Sequence, residues 1–336
     1  MGWQREDRVR PAHVSQAGVM KLNRRAFLAA PIAAMGATIG AACTRPFGDP
    51  ASIRVGVMTN LTHAPLLAAI FDGSLARAIA PLKLDVKYFR AGPRVTEALL
   101  GGALDVATAG TGPLISALNR HPSALVARCC VASGGASLVT RSAIMKAEQL
   151  DGAALAVAQI GSTQDVSLRT FIKRNGLNLK QSGGSVHVTA LAPADILGQL
   201  RRGTLDGAWL AEPWATRAVC EGKLVRLVDE RDLWPGHYFP SAVVIARSAF
   251  AIARPSDVAA VENVVRAFVE RAKSDPEDVR TCAYEELVKQ VKNPGARSVF
   301  DEAWRYVDFR SDLRESTMAT LRSNAIAAGL LRAGPS

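Results

Sequence analysis

The sequence has few aromatic residues, no apolar run of membrane-spanning length and none of the short motifs that mark common enzymes. Aromatic residues make up 6% of the 336 positions. No GxSxG, Walker or GxGxxG motif is present, and the five histidines form no HExxH and no metal-ligand spacing. These absences argue against an enzyme and predict no cofactor and no metal. Because a catalytic triad assembled from distant positions leaves no local motif, an enzyme stays a weaker alternative.

Basic residues exceed acidic ones without forming a nucleic-acid signature. Lys and Arg number 41 against 30 Asp and Glu, a formal net charge of +11. The first 43 residues hold six basic and two acidic residues, and the remainder holds 35 and 28, scattered along the chain. No block of five or six basic residues and no zinc-finger, RNA-recognition or helix-turn-helix pattern occurs. We therefore expect no nucleic-acid partner.

The beginning of the chain has the layout of an export signal. Arg24 and Arg25 precede seventeen uncharged residues at 26–42, a run too short and too weakly apolar for a membrane-spanning helix of about 20 residues. The stretch NRRAFL resembles a twin-arginine signal, and GAAC, ending at Cys43, resembles a bacterial lipobox without its usual leucine. We predict an export signal over 1–43 and lipidation of Cys43, which would tether the protein to the membrane surface. The alternative is a soluble exported protein without the lipid.

Four cysteines follow Cys43, and none has metal or redox spacing. They are Cys129, Cys130, Cys220 and Cys282. The adjacent pair lies in an apolar run and is interpreted as buried free thiols. A disulfide in an exported protein is the alternative, and its connectivity cannot be read from the sequence.

Short apolar runs alternate with amphipathic helical patterns, which is typical of an α/β fold. Strands are predicted at 53–58, 84–89, 105–109, 125–131, 154–158, 186–189, 207–210, 224–228 and 242–246. Helices are predicted between them, for example at 93–100, 163–175 and 193–202, with Gly176 and Gly203 just past two of the ends. Beyond about residue 255 only helices are predicted, at 256–272, 276–292, 295–307 and 313–328.

One segment is echoed later in the chain. Residues 99–113 read LLGGALDVATAGTGP and residues 200–213 read LRRGTLDGAWLAEP, so that Asp105 matches Asp206 at an offset of 101. Each copy predicts a helix, a glycine turn, an aspartate, a short buried strand and a loop with proline. We therefore expect two similarly wound lobes whose strand-end loops, 110–113 and 211–214, face each other across a cleft.

Polar and small residues cluster where predicted strands end. Asn60, Thr62 and His63 follow the first strand and lead into a helix, whose free N–H groups attract anions. Thr62 could instead be only a helix cap, and His63 only a packing residue. The run ASGGAS at 132–137 would let a ligand approach the backbone or serve as a hinge, and otherwise is a plain turn.

Two further strand ends carry candidate polar groups. The cap residues of the helix at 163–175 leave Gln164 and Asp165 free to face a solute. Glu212 follows another predicted strand and is costly to bury without a cationic, hydroxyl or amide partner. Trp214, beside it, is either a ligand contact or a packing residue.

These segments, in this order, resemble the nitrate, sulfonate and taurine family of ABC-importer substrate-binding proteins. The resemblance covers about 52–272 and rests on RVGVMTNLTHAPLLAA, FRAGPRVTEALLGGALDVATAGTGP, ASGGASLVTR, QIGSTQDVSLR, ADILGQLRRGTLDGAWLAEPWATR and LVDERDLWP. It implies a two-lobed periplasmic-binding-protein fold of type II, crossed twice by the chain at its hinge. Lobe one would be 52–134 plus 240–334, and lobe two 137–236.

The resemblance also implies a solute site between the lobes and partners in the membrane. The implied ligand-binding residues are Asn60, Thr62, His63, Gly110, Thr111, Ser133, Gly134, Gln164, Asp165, Glu212 and Trp214. The implied role is capture of a small organic solute in the periplasm or at the outer face of the cytoplasmic membrane, and delivery to an ABC permease driven by an ATPase. Because these loops show no obvious arginine and contain two acids, we expect a zwitterionic, amine-bearing or heterocyclic solute to fit at least as well as a sulfonate.

Two other functions are compatible with the same resemblance. The first is an enzyme on this fold, since the family resembles the pyrimidine synthases of thiamine biosynthesis, but their cysteine-rich motif is absent here. The second is a solute sensor that signals to a membrane receptor.

Overall fold

The structure is a computed structural model that describes residues 51–333. The predicted export segment and its Cys43 lie outside the described residues. The strands are β1 (Ser52–Met58), β2 (Lys83–Phe89), β3 (Val106–Gly110), β4 (Leu125–Gly134), β5 (Ala136–Arg141), β6 (Ala154–Val157), β7 (His187–Ala190), β8 (Gly207–Ala211), β9 (Leu224–Asp229), β10 (Pro240–Arg247) and β11 (Val307–Phe309). They form one sheet in the order β11-β4-β10-β3-β1-β2 and a second in the order β7-β6-β8-β5-β9.

α-Helices separate most of the strands up to β10, although β4, β5 and β6 follow one another without one, as do β9 and β10. After β10 helices dominate, as the sequence predicts. The α-helices are α1 (Ala64–Phe71), α2 (Ser74–Ala78), α3 (Gly92–Leu100), α4 (Thr111–Arg120), α5 (Thr163–Arg174), α6 (Pro193–Arg202), α7 (Trp214–Gly222), α8 (Ser248–Ala253), α9 (Pro255–Ser274), α10 (Pro276–Gln290), α11 (Arg297–Ala303) and α12 (Glu315–Ala327). The α/β class and the helical C-terminal segment are therefore confirmed.

Both faces of the central strands β3, β5, β8 and β10 are buried, which explains their nearly continuous apolar runs. Alternate residues of β10 show this directly: Val244 packs in a core with α1, α9 and α10, whereas Val243 and Ile245 pack with α3 and α4. In the second sheet, Trp209 packs toward α5, and Leu210 packs toward α6 and α7.

Two strands fall where the sequence predicts something else. β5 occupies part of the predicted hinge and loop region because its residues pair on both sides, with β8 and β9. β11 begins at the end of the predicted helix 295–307 and adds a short edge strand to β4. In both cases tertiary pairing outweighs the local pattern.

The chain passes between the sheets twice, from β4 to β5 and from β9 to β10. The first passage is made of Gly134 and Gly135, whose φ angles are +70° and +74°. A Cβ on Gly134 would lie 2.4 Å from Arg231 Cγ, and one on Gly135 would lie 2.6 Å from Thr62 Cγ2. Glycine is required here because other parts of this chain approach the backbone closely. We use lobe one for the first sheet with its helices and lobe two for the second.

Candidate functional site

A pocket of about 460 Å³ lies between the two sheets. It is lined from the carboxyl ends of all six parallel strands, β1 to β3 in lobe one and β6 to β8 in lobe two. Residues that follow α10 complete its wall. In open α/β sheets this edge is where ligands bind, so the topology places the pocket where a ligand is expected.

Six helices begin at or beside this pocket. They are α1, α3, α4, α5, α6 and α7, and residues from the first turn or N-cap of each line it. The N-terminus of a helix carries free N–H groups and a partial positive charge. The backbone therefore makes the pocket favourable for negative charge before any side chain is considered.

The loop after β1 contributes three of the predicted residues to the pocket lining. Asn60 Oδ1 accepts hydrogen bonds from Thr62 N at 3.1 Å and from Thr62 Oγ1 at 2.7 Å, so these two side chains cap a short 3-10 turn. His63 is only 1% exposed, and its Nδ1 has no hydrogen-bond partner among the described residues. Burial lowers the pKa of His63 to about 3, so the imidazole is neutral at physiological pH.

The start of α5 brings Gln164 to the pocket but not Asp165. Ser162 caps the helix by accepting a hydrogen bond from Asp165 N at 3.2 Å. The Asp165 side chain is fully buried, pairs with Arg169 at 2.7 Å and accepts from Gly161 N at 2.8 Å. The expectation that Asp165 faces a solute is wrong, because its carboxylate is used inside α5.

Glu212 also lies outside the pocket lining. It is fully buried, pairs with Arg226 at 2.8 Å and accepts from Thr216 N at 3.0 Å. Burial raises the pKa of Glu212, and Arg226 and the Thr216 N–H oppose that rise. Of the cationic, hydroxyl or amide partners that burial of Glu212 calls for, the structure supplies a cation, Arg226 of β9. Trp214, two residues later, does line the pocket.

The remaining predicted residues divide between the pocket and the region that joins the sheets. Gly110 lines the pocket, whereas Thr111 beside it is fully buried and is not part of the lining. Ser133 Oγ accepts from Phe239 N at 2.9 Å, and Gly134 N donates to Phe239 O at 2.9 Å. Ser133 and Gly134 therefore hold the two passages between the sheets together and lie outside the pocket.

Four cationic side chains that the sequence analysis missed line the pocket. They are Arg90, Arg201, Arg217 and Lys292. Arg217 pairs with Glu221 at 2.9 Å, and Arg201 pairs with the same carboxylate. No carboxylate belongs to the pocket lining in the described part of the chain. The expectation of a site without arginine is therefore wrong, and the side chains and the helix N-termini both add positive charge to the pocket.

The lobes touch at the edges of the pocket. Gly112 N donates to Thr163 Oγ1 at 3.1 Å, and Leu61 N donates to Glu212 O at 3.2 Å. On another side, Arg217 Nη1 donates to Asn293 O at 3.3 Å. A solute in this pocket would be held by residues from both lobes.

Residues 51–333 contain no group of three or more His, Cys, Asp or Glu side chains that could hold a metal ion. Cys129 and Cys130 are buried in β4, where burial raises the pKa of each thiol to about 12. No helix in this range is long and apolar enough to cross a membrane.

Two sheets joined by two passages, with a pocket between them, define a two-lobed periplasmic-binding-protein fold of type II. The sequence profile of the NMT1-like family matches residues 48–283, and the chain belongs to this family.

Comparison with known proteins agrees with this class. The chain is 26% identical over 222 residues to the taurine-binding periplasmic protein of Escherichia coli K12, a match that covers 66% of this chain and 65% of that protein. It is 28% identical over 113 residues to a bicarbonate transport ATP-binding protein of Synechocystis, covering 34% of this chain and 16% of the relative. The chain thus spans less than two thirds of the length of either relative.

A solved structure has the same fold over nearly its whole length. The alkanesulfonate-binding protein SsuA from Xanthomonas axonopodis pv. citri, bound to MOPS, superposes with a TM-score of 0.71 at 18% identity. The superposition covers 85% of this chain and 96% of that one.

Proposed function

We propose that this protein is the extracytoplasmic solute-binding component of an ABC importer. It captures a small organic anion in the pocket between the lobes and delivers it to a membrane permease driven by an ATPase. The observation that carries this proposal is the pocket itself, which is lined from both sheets by helix N-termini and cationic side chains without a carboxylate. Its relatives include a taurine-binding periplasmic protein, and the sulfonate group of taurine supports an anionic group on the solute.

The candidate binding residues are those that line the pocket. From the sequence prediction these are Asn60, Thr62, His63, Gly110, Gln164 and Trp214, to which the structure adds Arg90, Arg201, Arg217 and Lys292. The protein binds its solute without transforming it. We propose this over an enzymic role because the lining that residues 51–333 contribute presents cations and neutral hydrogen-bonding groups, which bind an anion, and no thiolate or carboxylate to act on it.

A binding screen tests the proposed function. Isothermal calorimetry of the purified protein against short sulfonates, carboxylates, nitrate and bicarbonate, with polyamines as the cationic counterpart, should give micromolar affinity for at least one organic anion and none for polyamines. A micromolar dissociation constant corresponds to about −8 kcal/mol. Mass spectrometry of the recovered solute should show it unchanged. Tight polyamine binding, or turnover of the bound compound, would contradict the proposal.

Location and anchoring form a separate part of the proposal. The signal at 1–43 directs export, and Cys43 carries the lipid that holds the protein at the outer face of the cytoplasmic membrane. Mass spectrometry of the mature N-terminus should find acylated Cys43, and a Cys43→Ser variant should be recovered without lipid. An unmodified mature end near Cys43 would remove the anchor and leave solute binding intact.

A further inference from the structure

We infer that the solute combines an anionic group with an uncharged hydrogen-bond donor, such as a hydroxyl, and that the pocket discriminates against an ammonium group. This inference rests on the proposed function and makes the ligand more specific. Three features of the pocket support it. The lining contains cations, the nearby carboxylates are paired outside the lining, and buried acceptors of the lining have no partner among residues 51–333.

The positive charges outnumber the negative ones around the pocket. Arg201 and Arg217 share the single carboxylate of Glu221. Within residues 51–333, Arg90 and Lys292 have no ion-pair partner. An ammonium group that entered this pocket would meet surplus positive charge, to which the helix N-termini add.

The carboxylates that could offset an ammonium are already committed elsewhere. Asp165 is held by Arg169 and by Gly161 N, and Glu212 is held by Arg226 and by Thr216 N. Both side chains are fully buried outside the pocket lining. Burying a charged ammonium without an anionic partner is strongly unfavourable, so the pocket selects against it.

Two uncharged residues of the lining carry a buried polar atom that could accept a hydrogen bond. The carboxamide oxygen of Gln159 is buried without a partner in the described part of the chain, and so is Nδ1 of His63. A carboxamide oxygen only accepts a hydrogen bond, and Nδ1 of the neutral His63 accepts one when the proton is on Nε2. A buried acceptor without a partner is costly, and a hydroxyl or amide N–H of the solute would satisfy it without adding charge.

Matched ligands test this inference directly. We would titrate the purified protein with 2-hydroxyethanesulfonate, taurine and ethanesulfonate, which differ only in a hydroxyl, an ammonium or a hydrogen at one end. The carboxylate series glycolate, glycine and acetate would be run in parallel. In whichever series binds, the hydroxy compound should bind at least tenfold more tightly than the amino compound and several-fold more tightly than the unsubstituted one.

Variants of Gln159 assign the preference to the pocket. Gln159→Leu should abolish the advantage of the hydroxy compound over the unsubstituted anion. Its circular-dichroism spectrum and unfolding temperature, compared with those of the wild type, show that the variant folds. Gln159→Glu supplies the missing carboxylate and should shift the preference toward the amino compound by at least tenfold. Gln181→Leu, at an exposed glutamine outside the pocket, should retain the wild-type preference.

The outcomes separate this inference from the proposed function. If the amino compound binds as tightly as the hydroxy compound or more tightly, the inference is overturned and anion capture stands. If the hydroxy compound has no advantage over the unsubstituted anion, the donor part of the inference is overturned. If no compound of either series binds and the wider anion screen is also empty, both proposals are overturned.

Discussion

Asp105 in lobe one and Asp206 in lobe two make the same contacts in two different sheets. The backbone N–H of Asp105 donates to Arg54 O of β1 at 2.9 Å, and that of Asp206 donates to Ala154 O of β6 at 2.8 Å. Each carboxylate accepts from the N–H of that same residue, at 3.0 Å and 2.8 Å. The antiparallel neighbour supplies an arginine to each as well. The repeated segment of the sequence therefore encodes the same set of contacts in both sheets, in which one aspartate links three adjacent strands.

The two copies differ in burial and in the number of charges. The Asp105 side chain is 3% exposed and pairs with both Arg54 and Arg247, whereas that of Asp206 is 19% exposed and pairs only with Arg141 among residues 51–333. The same geometry thus operates in a drier site in lobe one. A buried ion pair is weak evidence for stability as a whole, but removing one member of it leaves the other charge uncompensated.

The largest expected effect follows from that difference. Asp105→Ala should lower the free energy of unfolding by about 3–5 kcal/mol because two arginines lose their buried partner. Asp206→Ala should cost about 1–2 kcal/mol, since its arginine stays in contact with water. Urea unfolding followed by tryptophan fluorescence measures both.

Asp105→Asn and Asp206→Asn are the controls for that comparison. Each keeps an acceptor for the strand N–H and removes the charge. Asn should recover most of the loss at 206 and only part of it at 105. Equal losses in the two alanine variants would show that burial does not set the difference between the lobes.

The lobes also treat a buried glutamate differently. In lobe one, burial of Glu262 is outweighed by hydrogen bonds from Arg266 and Arg128, which lower its pKa. In lobe two, Glu230 is fully buried and accepts from Trp209 Nε1 at 3.0 Å and from Ser167 Oγ. Burial raises the pKa of Glu230 to about 8, since hydrogen bonds from neutral donors do not offset it.

The second prediction follows from the opposite directions of the pKa shifts of Glu262 and Glu230. Because the folded protein holds the Glu230 proton more tightly than the unfolded chain does, this residue's contribution to stability is greatest below about pH 4.5 and is lost as the pH rises through 8. Between pH 5 and pH 9, the free energy of unfolding of the wild type should fall by about 2–4 kcal/mol more than that of Glu230→Gln. The measurement is the free energy of unfolding against pH. The exposed Glu148→Gln variant should follow the wild type, and a Glu230→Gln profile parallel to the wild type would contradict the prediction.

Local patterns predicted most of the fold and part of the site. The alternation of strands and helices is a local signal, and so is the repeat that carries Asp105 and Asp206. The Arg169 partner of Asp165 was also readable, because it lies four residues later on the same helix. Arg201 lies on the face of α6 that lines the pocket, and the helical spacing of the residues on this face is visible in the sequence: 194, 197, 198 and 201.

What could not be read from the sequence depends on distant pairings. Arg226 reaches Glu212 from another strand, and Lys292 joins the pocket from the loop after α10, about two hundred residues beyond Arg90. The charge of the pocket is set by which acids find arginine partners elsewhere. A count of acidic and basic residues near the strand ends therefore predicted the wrong sign for the charge of the pocket.

The third prediction concerns the strand-end loops of the two repeats, each of which reaches the opposite lobe. A Cβ on Gly112 would lie 2.9 Å from Thr163 N, so Gly112→Ala should keep the lobes from meeting at this edge. We expect solute affinity to fall about tenfold, equivalent to about 1.4 kcal/mol. Calorimetry with the best-binding anion measures the change. Gly101→Ala, at the end of α3 and outside the pocket lining, should bind normally, and undiminished affinity in Gly112→Ala would show that this contact is unimportant for capture.

The smallest expected effect compares the cations that the two lobes place in the pocket. Arg90 of lobe one has no ion-pair partner among residues 51–333, whereas Arg201 of lobe two already shares Glu221 with Arg217. An unpaired guanidinium contributes more to the field at the solute than a partly neutralised one. Arg90→Gln should therefore weaken anion binding by about three- to fivefold, or about 0.7–1 kcal/mol, and Arg201→Gln by less.

Salt dependence identifies the electrostatic part of that loss. The wild-type affinity should fall as ionic strength rises, and Arg90→Gln should show a shallower fall because one exposed charge is gone. Arg94→Gln removes an exposed arginine of the same helix region that does not line the pocket, so it should match the wild type. If Arg201→Gln proves more damaging than Arg90→Gln, the carboxylate of Glu221 does not neutralise the lobe-two cations, and lobe two holds the anion.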